Sequence, residues 1–296
     1  IAIPHYDAKF FSQIVHSGIS YKSYPEMLHY VTNNKYTVAV SGTHGKTTTT
    51  AMIGKILVDA KLDPSIIVGS ILKEYKSNLV VGKGNHFVVE ACEYKRSFLN
   101  IKPKILVITN IEADHLDYYR DLADIQSAFR ELAAKVPAGG YIICDPSSPT
   151  VGPAIQGLAA QVVDYKKYFD PNLELKVLSL NRINAAAVLA VADVLKINMN
   201  VAKKALADFT GTWRRFEYKG KTSHGSLVYD DYGHHPTEIS ATLKSVREQF
   251  PDKRIIVAFH PHLYSRTKAL LDDFAKAFSA ADEVLVAPIF AAREEP

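Results

Sequence analysis

Residues 38–50, Val-Ala-Val-Ser-Gly-Thr-His-Gly-Lys-Thr-Thr-Thr-Thr, constrain this chain more than any other stretch. An apolar run of β type enters a short glycine-containing loop, and a helical pattern leaves it. A chain passing from strand to helix in this way points free backbone N–H groups out of the first helical turn. The helix dipole adds partial positive charge at the same place. The result is a seat for phosphate oxygens. Gly42 and Gly45 let the backbone approach closely, Lys46 can reach outer phosphates, and the Thr47 hydroxyl is placed to ligate Mg²⁺. Gly42, Thr43, His44, Gly45, Lys46, Thr47 and Thr48 are therefore expected to hold a nucleotide's phosphates. In the usual eight-residue loop the first glycine would fall at Val40. The shorter form argues against a generic GTPase or motor ATPase.

A chain of 296 residues is long enough for two domains, each with its own core. Apolar residues make up 47% and charged residues 22%, which excludes a disordered or membrane-embedded chain. The net charge of +4 is spread along the sequence rather than striped. It fits the handling of anionic phosphates, and no nucleic-acid partner is expected. Cys92 and Cys144 show neither ligand spacing nor a disulfide framework. No long apolar run or targeting segment is present. The expectation is a cytoplasmic protein with no membrane partner.

Strand-like and helix-like patterns alternate. Residues 36–40, 86–90, 104–109 and 141–144 read as short Val/Ile/Leu-rich strands, and 47–60 and 121–135 as helices. Near-continuous apolar strands alternating with helices predict a parallel sheet covered on both faces. Residues 184–196 read as an Ala-rich buried helix. The pattern restarts near 208–213 as a second α/β unit: strand 227–230, helix 237–250, strand 254–259, helix 267–280 and strand 283–288. Residues 1–34 hold about one helix and a short strand, too little for a domain. The sequence also stops just after a strand, so a fragment of a larger protein is expected.

Two acidic and histidine-bearing segments follow strands. Glu90 ends His-Phe-Val-Val-Glu, and Asn110, Glu112, Asp114, His115 and Asp117 follow the next strand. Ligands of open parallel sheets bind at the carboxyl ends of strands, so Glu90 and His115 can converge on the phosphate loop. Glu90 suits a hard Mg²⁺ ion, and His115 suits a second ion or the surroundings of the transferring phosphate. Each also has a structural reading: Glu90 as a helix-capping carboxylate, His115 as a hydrogen-bonded histidine, Asp114 and Asp117 as first-turn acids. In the second unit, Asp231, His234 and His235 precede a helix opened by Pro236, and Arg266 in His-Pro-His-Leu-Tyr-Ser-Arg-Thr is a natural anion clamp. The histidines in these two loops lack a companion cysteine or carboxylate at tetrahedral-site spacing, which argues against zinc there.

The segments GTHGKTTTT, TNIEADHLDYY, GTWRRFE, DDYGHHPTEI, PHLYSRT and AAREEP, in that order, resemble the motifs of the Mur ligase family, in the branch that adds L-alanine. The resemblance covers nearly the whole chain from residue 36. Residues 1–34 resemble only the tail of the family's UDP-binding domain. It implies a central P-loop-type ATPase domain over residues 35–210 and a Rossmann-like C-terminal ligase domain over 211–296, incomplete. The activity implied is ATP-dependent amide ligation of L-alanine to UDP-N-acetylmuramate, with ATP and Mg²⁺.

The same resemblance implies roles for individual residues. Thr47 and Glu90 would hold one Mg²⁺ and His115 a second, with Lys46, Glu90 and His115 catalytic. Asn110 would line the nucleotide site and Asn184 would contact adenine. Arg215 and Asp231 would hold ATP from the second domain, and His234, His235 and Arg266 would face the substrates. The sequence departs from the family pattern at Cys92 and Tyr94, at Leu180 and at Leu263. Phe129 lies near the position where other branches carry a modified lysine. A sister ligase for a murein peptide or folate-type glutamate, and an ATP-binding module without turnover, are the alternatives.

Overall fold

The computed structural model describes residues 12–292 and 294, apart from 14 and 19. The expectations for residues 1–11, and the last part of the AAREEP motif at 293, 295 and 296, lie outside the described residues.

A helix α1 (Tyr24–Thr32) leads into β1 (Tyr36–Ser41), α2 (Lys46–Asp59), β2 (Ser65–Leu72), β3 (Ser77–Val80) and β4 (His86–Glu90). Then follow β5 (Ile105–Ile108), α3 (Leu122–Ala133), β6 (Tyr141–Cys144), a short α4 (Gly152–Ile155), β7 (Gln161–Asp164), α5 (Arg182–Val194) and α6 (Met199–Asp208). These seven strands form one sheet in the order β3-β2-β4-β1-β5-β6-β7. Only β3 runs antiparallel to its neighbour. β1 and β5 are buried without alternation because helices cover both faces. On one face α2 and the Ala-rich α5 pack through Met52, Ile53, Ile56 and residues 185–192. On the other, α3 places Ile125, Ala128, Phe129 and Leu132 on one stripe against Leu106 and Ile108. Phe129 is wholly buried in this core, edge-on to Phe98.

The second unit comprises β8 (Glu217–Lys221), β9 (Leu227–Asp230), α7 (Pro236–Gln249), β10 (Ile256–Phe259), α8 (Tyr264–Ala269), α9 (Leu271–Ala277) and β11 (Glu283–Val286). β10 and β11 are a parallel pair around a small core of Ile239, Leu243, Ile255, Phe259 and Phe274. The strand expected at 227–230 is present, but it pairs antiparallel with β8. A cavity of about 520 Å³, lined by Phe216, Tyr229, Leu243, Val257 and Phe259, separates this hairpin from β10. The helix expected over 267–280 is two helices, because Leu270 leaves helical geometry (φ −114°, ψ 23°) and turns toward the small core. Among the described residues of 1–34 there is helix but no strand.

The two units meet where β2 ends. Ser70 Oγ donates to the Trp213 carbonyl at 2.8 Å, and Trp213 N donates to the Ile71 carbonyl. No helix among the described residues is long and apolar enough to cross a membrane.

Ile56 is fully buried between α2 and its neighbours. Ile56→Ala is expected to cost about 2–5 kcal/mol through lost contacts and a residual cavity. A urea titration should register this as a lower midpoint with an unchanged slope.

Candidate active site between the two units

The carboxyl ends of β4, β1 and β5 lie side by side, because these strands are sheet neighbours. The segments that follow them therefore converge. After β1, the chain turns through Gly42 (φ +139°) and Gly45 (φ +79°), conformations that disfavour any side chain. A Cβ on Gly42 would sit 2.0 Å from Thr109 Oγ1, and one on Gly45 would sit 2.7 Å from Asn184 Oδ1. Helix α2 then starts with no side-chain cap and no acidic residue in its first turn. Its first N–H groups are thus left for an anion.

The loop is braced from below by residues that follow β5. Asn110 accepts from His44 N at 2.8 Å and donates to the His44 carbonyl at 3.2 Å. Thr109 Oγ1 donates to the same carbonyl, and Thr43 Oγ1 accepts from Glu112 N. The Asn110 amide therefore clamps the loop backbone. Asn184, at the start of α5, packs behind Gly45 and donates to Asn181 Oδ1.

At the head of the loop, Thr47 Oγ1 lies 3.0 Å from Glu90 Oε1, and Glu90 Oε2 accepts from Gly69 N. An alcohol and a carboxylate oxygen side by side are the donor set a hard divalent cation takes. Lys46 Nζ donates to the Gly42 and Thr43 carbonyls and pairs with Glu93 at 3.0 Å. Burial works to lower the Lys46 pKa, but the Glu93 carboxylate outweighs it and carries the ammonium up to about 12. Glu93, itself buried, opposes the effect of burial through the Lys46 charge and is held below the usual carboxylate range. His115 sits in the left-handed region (φ +54°), its Nε2 3.5 Å from Glu93 Oε1 and its ring 4.8 Å from that of Tyr94. Its buried Nδ1 has no hydrogen-bond partner.

The second unit closes over this assembly. Arg215 reaches Thr47 Oγ1 at 3.4 Å, lies 3.8 Å from Glu238 and rests over Tyr232. Arg266 pairs with Asp114 at 3.0 Å across the interface, both largely buried. Burial would raise the Asp114 pKa, but His234, His115 and Arg266 hold it far below the carboxylate range. Asp231 spends both oxygens on backbone, accepting from Gly233 N and Phe216 N, and burial raises its pKa. His235 is buried, caps α7 by accepting from Thr237 N, and lies with its ring 4.7 Å from that of His44. His44 lies between Glu238 at 3.2 Å and Glu112 at 3.4 Å. Burial disfavours its charged form, but the two glutamates prevail and raise its pKa to about 9.

A cleft of about 890 Å³ runs between the units. Thr43, Gly45, Lys46, Thr47, Glu90, His115, Arg215, Asp231, His234 and Arg266 line it. Gly42, His44, Thr48, Asn110, Asn184 and His235 are not among its lining residues. Two charged residues that sequence reasoning left without a role stand out. Glu93 follows β4 three residues after Glu90, a spacing that could have flagged it. Glu238 lies in the first turn of α7, where an acid is commonplace and carries no signal of its own.

The geometry agrees with what the sequence is similar to. The Mur ligase middle domain matches residues 40–185, and the Mur ligase glutamate ligase domain matches 214–296. The chain belongs to the Mur ligase family. It is 41% identical to the UDP-N-acetylmuramate–L-alanine ligases of Desulfitobacterium hafniense, over 92% of this chain and 66% of that protein, and of Agathobacter rectalis, over 94% and 67%. The chain thus spans about two thirds of the length of these curated relatives. Among solved structures, a UDP-N-acetylmuramate–alanine ligase of Thermotoga maritima superposes with a TM-score of 0.71 at 28% identity, covering 89% of this chain and 65% of that one. A murein peptide ligase of Psychrobacter arcticus, at 23% identity over 96% of this chain and 70% of that one, shares the fold with a TM-score of 0.70. The α/β architecture with a large parallel sheet is that of Mur ligases.

Removing only one partner of the buried Lys46–Glu93 pair leaves an uncompensated charge. Glu93→Gln is expected to destabilise the protein by about 3–5 kcal/mol. The double variant Lys46→Met/Glu93→Gln should recover much of that loss. A double-mutant cycle from thermal melts checks both.

Proposed function

We propose that this chain carries the nucleotide site and reaction centre of an ATP-dependent amide ligase that joins L-alanine to the carboxylate of UDP-N-acetylmuramate, a step of cytoplasmic peptidoglycan precursor synthesis. Residues 35–210 would be the ATP-binding domain and 211–296 part of the ligase domain. The observation that carries this reading is the meeting of Thr47, Glu90 and Arg215 at the head of the phosphate loop. The names of the relatives supply the substrates.

In this reading, the N–H groups of the loop and of the first turn of α2 bind the triphosphate, and Lys46 leaves Glu93 to reach its outer phosphate. Thr47 and Glu90 would hold Mg²⁺, which supplies charge neutralisation on the phosphate oxygens. His115 is the candidate partner of a second ion. The muramoyl carboxylate oxygen bonds to the γ-phosphorus as the bond to ADP breaks, giving an acyl phosphate. The alanine amine then bonds to the acyl carbon, inorganic phosphate leaves, and the ammonium proton is lost to solvent or a nearby base. Arg215 and the cleft donors would stabilise charge that develops on the way. Closure of the second unit would exclude water from the acyl phosphate. His234 and Arg266, at the far side of the cleft, would orient the substrates.

The test is mass spectrometry of products from the full-length gene product with ATP, UDP-N-acetylmuramate and a panel of amines and peptides. UDP-N-acetylmuramoyl-L-alanine and ADP are expected. Lys46→Ala should lower turnover by at least about 10²–10³-fold. Product only with a peptide acceptor would move the chain to a sister ligase, and an undiminished Lys46→Ala enzyme would refute the site.

A further inference from the structure

Behind the phosphate loop, away from the cleft lining, the domain interface brings His44, Glu112 and His235 together. One ligand atom from each lies within 4.8 Å of the others. We propose that these three side chains form a site for a borderline transition-metal ion of the Zn²⁺ class, bridging the two units in their closed arrangement.

The donor set is two imidazoles and a carboxylate, which suits Zn²⁺ with a fourth position open to water. His235 Nε2 is buried and makes no hydrogen bond, and His235 is only 5% exposed, while His44 Nε2 lies 3.4 Å from Glu112 Oε2. A buried ring nitrogen at an interface needs a partner, and the His44 ring and Glu112 carboxylate are the groups nearest to supply a shared one. The surroundings supply the outer contacts that metal-binding histidines use. The Glu238 carboxylate lies 3.2 Å from His44 Nδ1, where it accepts that N–H and leaves Nε2 free to ligate. Thr237 Oγ1 donates to Glu112 Oε2 at 2.9 Å and orients the carboxylate.

Two adjustments follow from the geometry. Ligands at Zn–N distances of about 2.0–2.1 Å in a tetrahedron stand roughly 3.3 Å apart, so the side chains must draw in by up to about 1.5 Å. His235 Nδ1, which accepts a long 3.3 Å bond from Thr237 N, must take the ring proton and give that bond up. The ion replaces the proton that Glu112 and Glu238 favour on His44. The loop pair His234/His235 and His260/His262 lacked a carboxylate at suitable spacing in the sequence. Folding supplies one from the other unit, 123 residues before His235.

The experiment titrates Zn²⁺ into the purified chain against a chromophoric chelator, with Co²⁺ absorption as a probe of coordination. One tightly held Zn²⁺ per chain is expected, with intense visible bands from a four-coordinate Co²⁺ form. His235→Ala and Glu112→Gln should each weaken Zn²⁺ binding at least tenfold, while His260→Ala leaves it unchanged. Glu238→Gln should weaken it about tenfold through His44. Glu112 is partly exposed, so Glu112→Gln decides the matter even where His235→Ala does not fold. Absence of stoichiometric Zn²⁺ binding, or binding that survives Glu112→Gln, overturns the proposal.

Discussion

The structure depends on one backbone constraint: the chain must leave β1, turn through two positive-φ glycines and enter α2 without a side-chain cap. Everything around the loop serves that geometry. Asn110 and Thr109 hold its backbone from beneath, and Thr43 is fastened to Glu112. Helix α5 packs Asn184 so close behind Gly45 that no side chain fits there. Uncapped N–H groups at a helix start are costly unless water or an anion satisfies them. The loop is accordingly built for a ligand, and the fold supplies rigidity around it.

Charge is arranged to match. Lys46 is held by Glu93 and two loop carbonyls rather than left exposed, so the cation is stored beside the place where phosphate would sit. Glu93 also approaches His115 and takes the Tyr119 hydroxyl on its carbonyl, which links the loop after β4 to that after β5. The second unit adds Arg215 and the Arg266–Asp114 pair from outside. Its contacts with the loop are polar and ionic, the kind of interface that opens and closes more readily than an apolar core.

Much of this was legible in the sequence, for physical reasons. Strands buried on both faces are apolar through their centres, so β1, β4, β5 and β6 announce themselves. The loop's glycines, lysine and threonine are fixed by chemistry that tolerates few other residues. Elements with weaker demands were harder to see. β2 is interrupted by Gly69 and Ser70, β7 is a four-residue edge strand, and β8 (Glu-Tyr-Lys-Gly-Lys) is a polar hairpin strand. Helix α6 is only ten residues long and follows α5 with no strand between them to set it apart. The break at Leu270 is a tertiary choice that periodicity does not record. The contacts of His44 with Glu238 and His235 join residues nearly 200 positions apart, and only the folded interface reveals them. The side chains of Asn110 and Asp231, both expected at the nucleotide, hold backbone, as a polar side chain beside a tight loop often does, and Asp231 also lines the cleft.

The central claim is that the β1–α2 turn seats a triphosphate and that Thr47, Glu90 and Arg215 gather at its outer end. A crystal structure with Mg²⁺ and a non-hydrolysable ATP analogue tests it most directly. The account predicts phosphates on the N–H groups of residues 42–48, a metal ion on Thr47 and Glu90, and Lys46 drawn off Glu93 onto the outer phosphate. A nucleotide bound elsewhere, with Lys46 still paired to Glu93, would contradict it.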